Sequence, residues 1–327
     1  IDFSDSTNGA LLLEGQSTNL IPYSEDFSDA SWQKSGSSIT SNSVTSPNGT
    51  LNADKLVESS TIGTHWIREI ITVVNGKITF SIFAKKGERD YILLRENTRG
   101  GYYFNLNDGT IGGVYSNAPD SYEIKEFSNG WYKCSITVTV INSTADLLVY
   151  TANSNNSNNY QGDGTSGIYI WGAQLEQNSF STSIIPTSGS TVTRLADACN
   201  NSGSAQDFNS TEGVLYAEIS ALANENLQRW FSLSNGTTSN TVKIGLLNNT
   251  TDYRFACEVR SAAVLSAFMT YNFGAVTPTF VKVAFKYSLN DFALWVNGVE
   301  VATDTSGNTP IGLNKLSFNR ADGAQTF

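Results

Sequence analysis

Six side chains in the first half of the chain, Trp66, Arg68, Tyr91, Arg95, Trp131 and Lys133, have the types and spacing to hold a sugar. Such a site needs aromatic rings that stack on the C–H face of a pyranose and polar or cationic groups that hydrogen-bond its hydroxyls. If Ile92 and Leu94 point into a core, strand alternation sends Tyr91, Leu93 and Arg95 to the opposite side. Likewise, Tyr132 and Ile136 inward put Trp131 and Lys133 outward. Whether these groups are neighbours depends on strand order, which spacing does not give. The same rings also suit packing in a core or between subunits, and that alternative stays open.

Other chemistries have fewer residues to build on. His65 is the only histidine, so any Ser-His-Asp or Cys-His constellation would have to form around it. Beside Trp66 in a strand-like run, it reads as a packed or surface residue. Cys134, Cys199 and Cys257 are widely spaced and make no CxxC or Cys/His ligand pattern. Cys134 alternates in phase with Tyr132, Ile136 and Val138 and reads as a small buried residue. Glycoside hydrolysis asks for two carboxyl groups roughly 5 to 10 Å apart. The candidates Glu88, Asp90, Glu96, Glu123 and Glu126 fall mostly in turns or at solvent-facing positions, so a polysaccharide depolymerase is the weakest reading. Asp163, in the Gly162 to Gly167 loop, has the oxygen-rich surroundings of a structural calcium site but no EF-hand spacing, and a solvated turn is the alternative. A net charge of −10, with 20 Lys and Arg spread along the chain, argues against nucleic acid as a partner. No run of 18 apolar residues is present to span a membrane as a helix, so no membrane insertion is expected.

The elements that must position these residues are strands. Charged residues make up only 15% of the chain, whereas Ser, Thr, Asn and Gly are abundant, a composition that disfavours long helices. Short alternating runs recur at Ser38 to Thr45, Ala53 to Glu58, His65 to Val73, Lys77 to Lys85, Asp90 to Glu96, Gly101 to Leu106, Trp131 to Val140 and Asp146 to Thr151. Turn formers such as Pro47-Asn-Gly49 and Asn107-Asp-Gly109 separate them. Leu11 to Leu13 reads as a first strand, and Trp32 as either a rim aromatic or a plug over the end of a sandwich. Ile168 to Leu175 reads as a strand on which Ile168, Ile170 and Gly172 oppose Tyr169, Trp171 and Ala173. The loop between Thr151 and Gly167 is long and polar and is expected at the surface. After Leu175 the chain turns into an extended, polar tether.

With 327 residues, two cores are expected rather than one, since single cores stop growing at roughly 250 to 300 residues. The boundary is placed near residue 200, giving domains 1–198 and 199–327. In the second, runs beginning at Val214, Arg229, Thr241, Tyr253, Val281 and Asp291 read as strands, with a hairpin turning at Asn297-Gly298. The fold class expected is all-β: two antiparallel β-sandwich, jelly-roll domains joined by an extended linker.

Four strings bring a resemblance. TNLIPYSEDFSDASWQKSG at 18 to 36, AKKGERDYILLR at 84 to 95, SNGWYKCSITVT at 128 to 139 and the stretch from Gly162 to Asp197 resemble a module of bacteriophage tail and head-fibre proteins, itself similar to jelly-roll carbohydrate-binding modules. Residues 208 to 327, through the Ala293 to Val301 hairpin, resemble laminin-G or concanavalin-A-like domains. The resemblance implies a non-enzymatic protein of the virion surface, in a tail fibre, baseplate appendage or head fibre, assembled in the host cytoplasm. It implies a host surface glycan and other virion proteins as partners, and a homo-oligomer, with a trimer expected on family grounds. Purely structural decoration or fibre joining is the alternative. The chain is expected to be part of a longer one, because KLSFNR is not followed by the return strand that completes such sandwiches.

Overall fold

A computed structural model of the chain describes residues 11–220, 228–248, 253–274 and 280–321. Two compact units emerge, Gly15–Leu195 and a second comprising Ala196–Phe327 with the N-terminal segment through Glu14. Every strand pairing among the described residues is antiparallel, and the only helical element is a single 3₁₀ turn at Ser128–Gly130. No helix among them is long and apolar enough to cross a membrane.

The first unit runs through β1 (Ser17–Asn19), β2 (Gln33–Ser35), β3 (Ser37–Thr45), β4 (Leu51–Glu58), β5 (Ile62–Thr64), β6 (Trp66–Thr72), β7 (Gly76–Lys86) and β8 (Tyr91–Glu96). It continues through β9 (Gly100–Asn105), β10 (Ile111–Tyr115), β11 (Ser121–Phe127), β12 (Trp131–Val140), β13 (Thr144–Ala152), β14 (Asn159–Gln161), β15 (Gly167–Glu176) and β16 (Val192–Arg194). One six-stranded sheet has the order β10-β9-β8-β13-β6-β2, the other β11-β12-β7-β15-β4-β3. Between them lies an apolar layer that includes Leu56, Ile67, Ile82, Ile92, Leu94, Cys134, Ile136, Val149 and Ile170. Trp32 is 1% exposed, donates its indole N–H to the Tyr23 carbonyl at 2.9 Å and packs on Phe27, so it plugs the core rather than lining a rim.

Three expectations from the sequence change in this unit. Leu11 to Leu13 forms no strand, and the first strand begins at Ser17. On β15 the register against β7 shifts between Trp171 and Gln174, where Gly172 adopts φ 62°; this β-bulge returns Ala173 and Leu175, not Gly172, to the core beside Ile170. The segment after β15 is extended but not free. Asn19 donates to the carbonyls of Ala173 and Ile185, Thr187 pairs with Ser24, and β16 closes on β1. Buried Glu176 accepts hydrogen bonds from Ser17 and from both the N–H and the hydroxyl of Thr182. Polar side chains thus satisfy a backbone whose Ser/Thr/Gly content offers little apolar surface to bury.

The second unit contains β17 (Glu212–Ile219), β18 (Gln228–Ser234), β19 (Thr241–Asn248), β20 (Tyr253–Ser261), β21 (Val264–Gly274), β22 (Val281–Ser288), β23 (Asp291–Val296), β24 (Val299–Asp304) and β25 (Lys315–Ser317). A four-stranded sheet, β17-β22-β23-β24, faces a five-stranded one, β21-β20-β19-β18-β25, over a core that includes Phe231, Ile244, Phe255, Cys257, Phe285 and Leu294. Asn297 and Gly298, at φ 50° and 82°, make the tight hairpin expected of that dipeptide. Strand β21 is missing from the sequence reading, although Ala267 and Met269 alternate inward along it. Strand β25, within KLSFNR, pairs with β18, and residues 322–327, after which the expected return strand is missing, lie outside the described residues. Together the two units establish an all-β chain built of two sheet-rich, sandwich-like regions.

Candidate functional site

Four of the six expected sugar-binding residues share one face. Strand β13 lies between β6 and β8, so Tyr150 stands opposite Trp66 on one side and Leu93 on the other, while Leu148 stands opposite Arg68 and Arg95. Leu93 in turn opposes Tyr103 of β9. The resulting cross-strand row, Trp66, Tyr150, Leu93, Tyr103, lies on the outer face of the sheet, because Ile67, Ile92 and Leu94 occupy the core on the other face. Tyr91 and Tyr115 complete the aromatic patch.

The polar groups on this face are tied to the rings. Arg95 donates Nη1–H to the Tyr150 hydroxyl at 3.2 Å and Nη2–H to the Asn97 carbonyl at 3.0 Å, and its guanidinium sits 4.9 Å from the Tyr115 ring centroid. Arg68 grips Asp146 with two hydrogen bonds, at 2.6 and 2.5 Å, and Asn97 donates to the same carboxylate at 2.9 Å. Burial pushes the Tyr103 phenol up to about 12 and raises that of Tyr150 as well, so both remain neutral hydroxyls at ordinary pH. The face offers ring surface, two guanidinium groups and neutral phenols, which suit binding an uncharged polyol. Its one acid, Asp146, is committed to Arg68.

The long polar loop after β13 covers one end of the patch. Asn155 accepts the Gly113 N–H at 2.7 Å, and Tyr103 donates to Asn158 at 3.0 Å. Gly112 and Gly113 leave no room for a Cβ there, which would lie 2.6 Å from Asn155 Oδ1 and 1.9 Å from Asn156 Oδ1. The loop is therefore docked on the sheet. Sequence reading missed Tyr103, Tyr115 and Tyr150, although Leu148, Tyr150 and Ala152 alternate visibly in the run from Leu147 to Ala152.

Trp131 and Lys133 are on the other sheet, so the six residues do not form one platform. Their outward direction on β12 is as expected, but this outer face is roofed. Trp131 is 1% exposed, packs with Ala53, Phe83 and Trp171, and donates its indole N–H to the Thr45 carbonyl at 3.1 Å. Lys133 donates to the Thr182 carbonyl and lies over the Phe83 ring. Val44 and Ile184 close the cluster. Strand residues Ala53, Phe83 and Trp171, the end of β3 and Ile184 of the segment after β15 together convert an expected binding ring into a packing residue.

Both oxygens of Asp163 are already engaged. Oδ1 accepts the N–H groups of Thr165 and Ser166 at 2.8 and 2.7 Å, and Oδ2 accepts the Ser166 hydroxyl at 2.5 Å. These bonds hold its carboxyl well below the usual range, which is the behaviour of a turn cap. Among the described residues, no group of three or more His, Cys, Asp and Glu is placed to hold a metal. His65 is buried between the carbonyls of Gly36 and Tyr160, at 2.6 and 3.4 Å, and packs on the Tyr160 ring. Of the acids weighed for hydrolysis, Glu96 is buried and caps the Thr98-Arg99 turn, Glu88 pairs with Lys55, and Glu123 and Glu126 lie on β11 of the opposite sheet. A cleft of about 310 Å³ between Arg99, Asn117, Asp120 and Thr139 contains no aromatic ring.

No protein-family model and no curated protein matches the chain. Among solved structures, it is similar to domains LG4-5 of the mouse laminin alpha1 chain, with 11% identity and a TM-score of 0.23 over 79% of this chain and 80% of that one. A TM-score at this level says nothing about function, and the all-β, multi-domain organisation rests on the strand pairings above.

Proposed function

We propose that this chain is a non-enzymatic glycan-binding module whose first unit holds a host surface glycan on the outer face of β8, β13 and β6. The observation that carries this reading is the registered row of Trp66, Tyr150, Leu93 and Tyr103, flanked by Tyr91, Arg68 and Arg95. Half-buried Trp66, Tyr91 and Tyr115 supply the stacking surface, and Arg95 and Arg68 supply donors already oriented by Tyr150 and Asp146. Pre-set donors lose less rotamer freedom on binding. The four strings resembling phage fibre modules support placement on a virion surface, beside other virion proteins and in a homo-oligomer, where weak sites gain by multivalency.

Full burial of Leu93 and near-full burial of Tyr103 and Tyr150 favours a second reading, in which the patch is structural packing in a virion component. The test is binding of the full chain to a printed array of host-surface glycans, beside folded Trp66→Ala and Tyr91→Ala variants. The expected result is a specific signal weakened about tenfold in both, the worth of one aromatic contact. A signal unchanged in both variants, or no signal at all, would overturn glycan binding at this face in favour of the structural reading.

A further inference from the structure

Five Asn-Gly pairs lie among the described residues, at Asn48, Asn75, Asn129, Asn235 and Asn297. In such a pair the glycine has no Cβ to keep its own backbone nitrogen away from the asparagine side-chain carbon. Ring closure forms a bond from that nitrogen to Cγ, and the Cγ–Nδ2 bond breaks as the amide leaves with the proton of the glycine nitrogen, as ammonia. Water then opens the cyclic imide at either carbonyl, giving aspartate or isoaspartate. Nothing is oxidised or reduced, and water is the only co-reactant. Closure requires the side-chain amide to turn its face to the glycine nitrogen, so a bond that fixes the amide plane or the backbone torsion slows it.

Four of the five pairs are restrained in this way. Asn48 Oδ1 accepts the Ser46 hydroxyl and both the N–H and the hydroxyl of Thr50, at 2.7, 2.9 and 2.5 Å. Asn235 Oδ1 accepts the N–H and the hydroxyl of Thr237, at 3.2 and 2.7 Å. Asn297 Oδ1 accepts the Lys282 N–H at 3.0 Å, and its own N–H donates to the Lys282 carbonyl at 2.8 Å. Asn129 makes no side-chain hydrogen bond to the described residues, but its backbone is held at φ 61° and ψ 31° inside the Ser128–Gly130 turn, which the Trp131 N–H closes on the Ser128 carbonyl. Bringing the Gly130 nitrogen onto Cγ rotates that ψ and opens the turn. Asn75 has neither restraint. It is exposed, in a bend between β6 and β7, outside the left-handed region, with no side-chain hydrogen bond to the described residues. Gln177 accepts the Val74 N–H at 3.2 Å and donates to the Lys77 carbonyl at 2.9 Å, so the chain is held on either side of the pair while the Asn75 amide stays free to turn.

We infer that Asn75 is a modification site, deamidating spontaneously in the folded protein to a mixture of aspartate and isoaspartate. The product carries a new carboxylate and, in its isoaspartyl form, one more main-chain carbon. That carbon bears on the Gln177 strap and on the pairing of Gly76 with Val140 at the start of β7. The site goes beyond the proposed function and does not depend on it.

The experiment is peptide mapping by mass spectrometry of the full chain, sampled over weeks at mildly alkaline pH, both native and unfolded in urea, with Asn75→Gln in parallel. The tryptic peptide Glu69 to Lys77 contains no other Asn or Gln, so a gain in its mass reports Asn75 alone. Asn8-Gly9 lies outside the described residues, and its peptide is followed separately. In urea the five pairs should convert at similar rates. In the native chain Asn75 should convert at least about tenfold faster than Asn48, Asn235 and Asn297, the worth of one to two hydrogen bonds broken before the ring closes. Isoaspartate should appear beside aspartate in that peptide, and Asn75→Gln, which would have to close a six-membered ring, should show no gain in mass there. Its exposed position keeps the variant folded. Native conversion of Asn75 no faster than that of the three bonded asparagines would overturn the inference. So would conversion led by Asn129, or a gain in mass that persists in the Asn75→Gln peptide.

Discussion

Glu69 is the acid whose position should govern how the stability of the first unit depends on pH. It sits on β6 in phase with the core residues Ile67 and Ile71, is 5% exposed, and its Oε2 has no hydrogen-bond partner among the described residues. Burial, aided by the Asp29 carboxylate and partly offset by Lys34, raises its pKa to about 7 from the ordinary 4.5. The folded state thus prefers the protonated acid. The contribution to stability is complete below about pH 4.5 and is lost as pH rises through about 7. The gap between those values corresponds to about 3 kcal/mol, an upper bound because water entering the site would lessen it. Glu69→Gln keeps the shape and removes the charge. The variant should match the parent near pH 4 and exceed it by up to about 3 kcal/mol at pH 8, which is about 6 to 12 °C in the first unit's Tm. Urea unfolding of both proteins at several pH values, followed by tryptophan fluorescence, measures the difference. Glu58 and Glu258, held low by Arg89 and Lys243, titrate alike in both proteins and cancel. A parent-to-variant difference that is flat with pH would refute a buried, proton-preferring Glu69.

Two more outcomes follow from the same packing. Trp131→Ala should destabilise the first unit by about 3 to 5 kcal/mol, seen as an early thermal transition, because it empties a closed pocket against Phe83 and Trp171 and strands the Thr45 carbonyl; a variant with parental stability that loses glycan binding would restore Trp131 as a contact residue. Of the three free cysteines, only half-buried Cys199 should react quickly with a thiol reagent in the native chain, since burial raises the pKa of both Cys134 and Cys257 far above neutrality. Three fast thiols would contradict that burial.

Period-two alternation bounded by Gly, Asn and Pro was enough to read most strands of both units from the sequence, because alternation reports which side of a strand meets a core. It also gave the correct outward side for Tyr91, Arg95, Trp131 and Lys133. Alternation says nothing about what lies on that side. Strand order placed β13 between β6 and β8 and gathered Trp66, Arg68, Tyr91 and Arg95 with the unforeseen Tyr103, Tyr115 and Tyr150, while the other sheet took Trp131 and Lys133. The segment after β15 looked like a tether because it is poor in apolar residues. It docks because Asn19 and Ser24, far away in the chain, and Gln174 and Glu176, at the end of β15, provide hydrogen-bond partners for its backbone. That docking brings Ile184 to the cluster of Ala53, Phe83 and Trp171 in which Trp131 is buried. Local pattern therefore determined the elements and the direction of each side chain, whereas exposure and neighbourhood were decided by pairings between residues distant in the chain, from Leu93 with Tyr150 to Asn19 with Ile185, which no local period encodes.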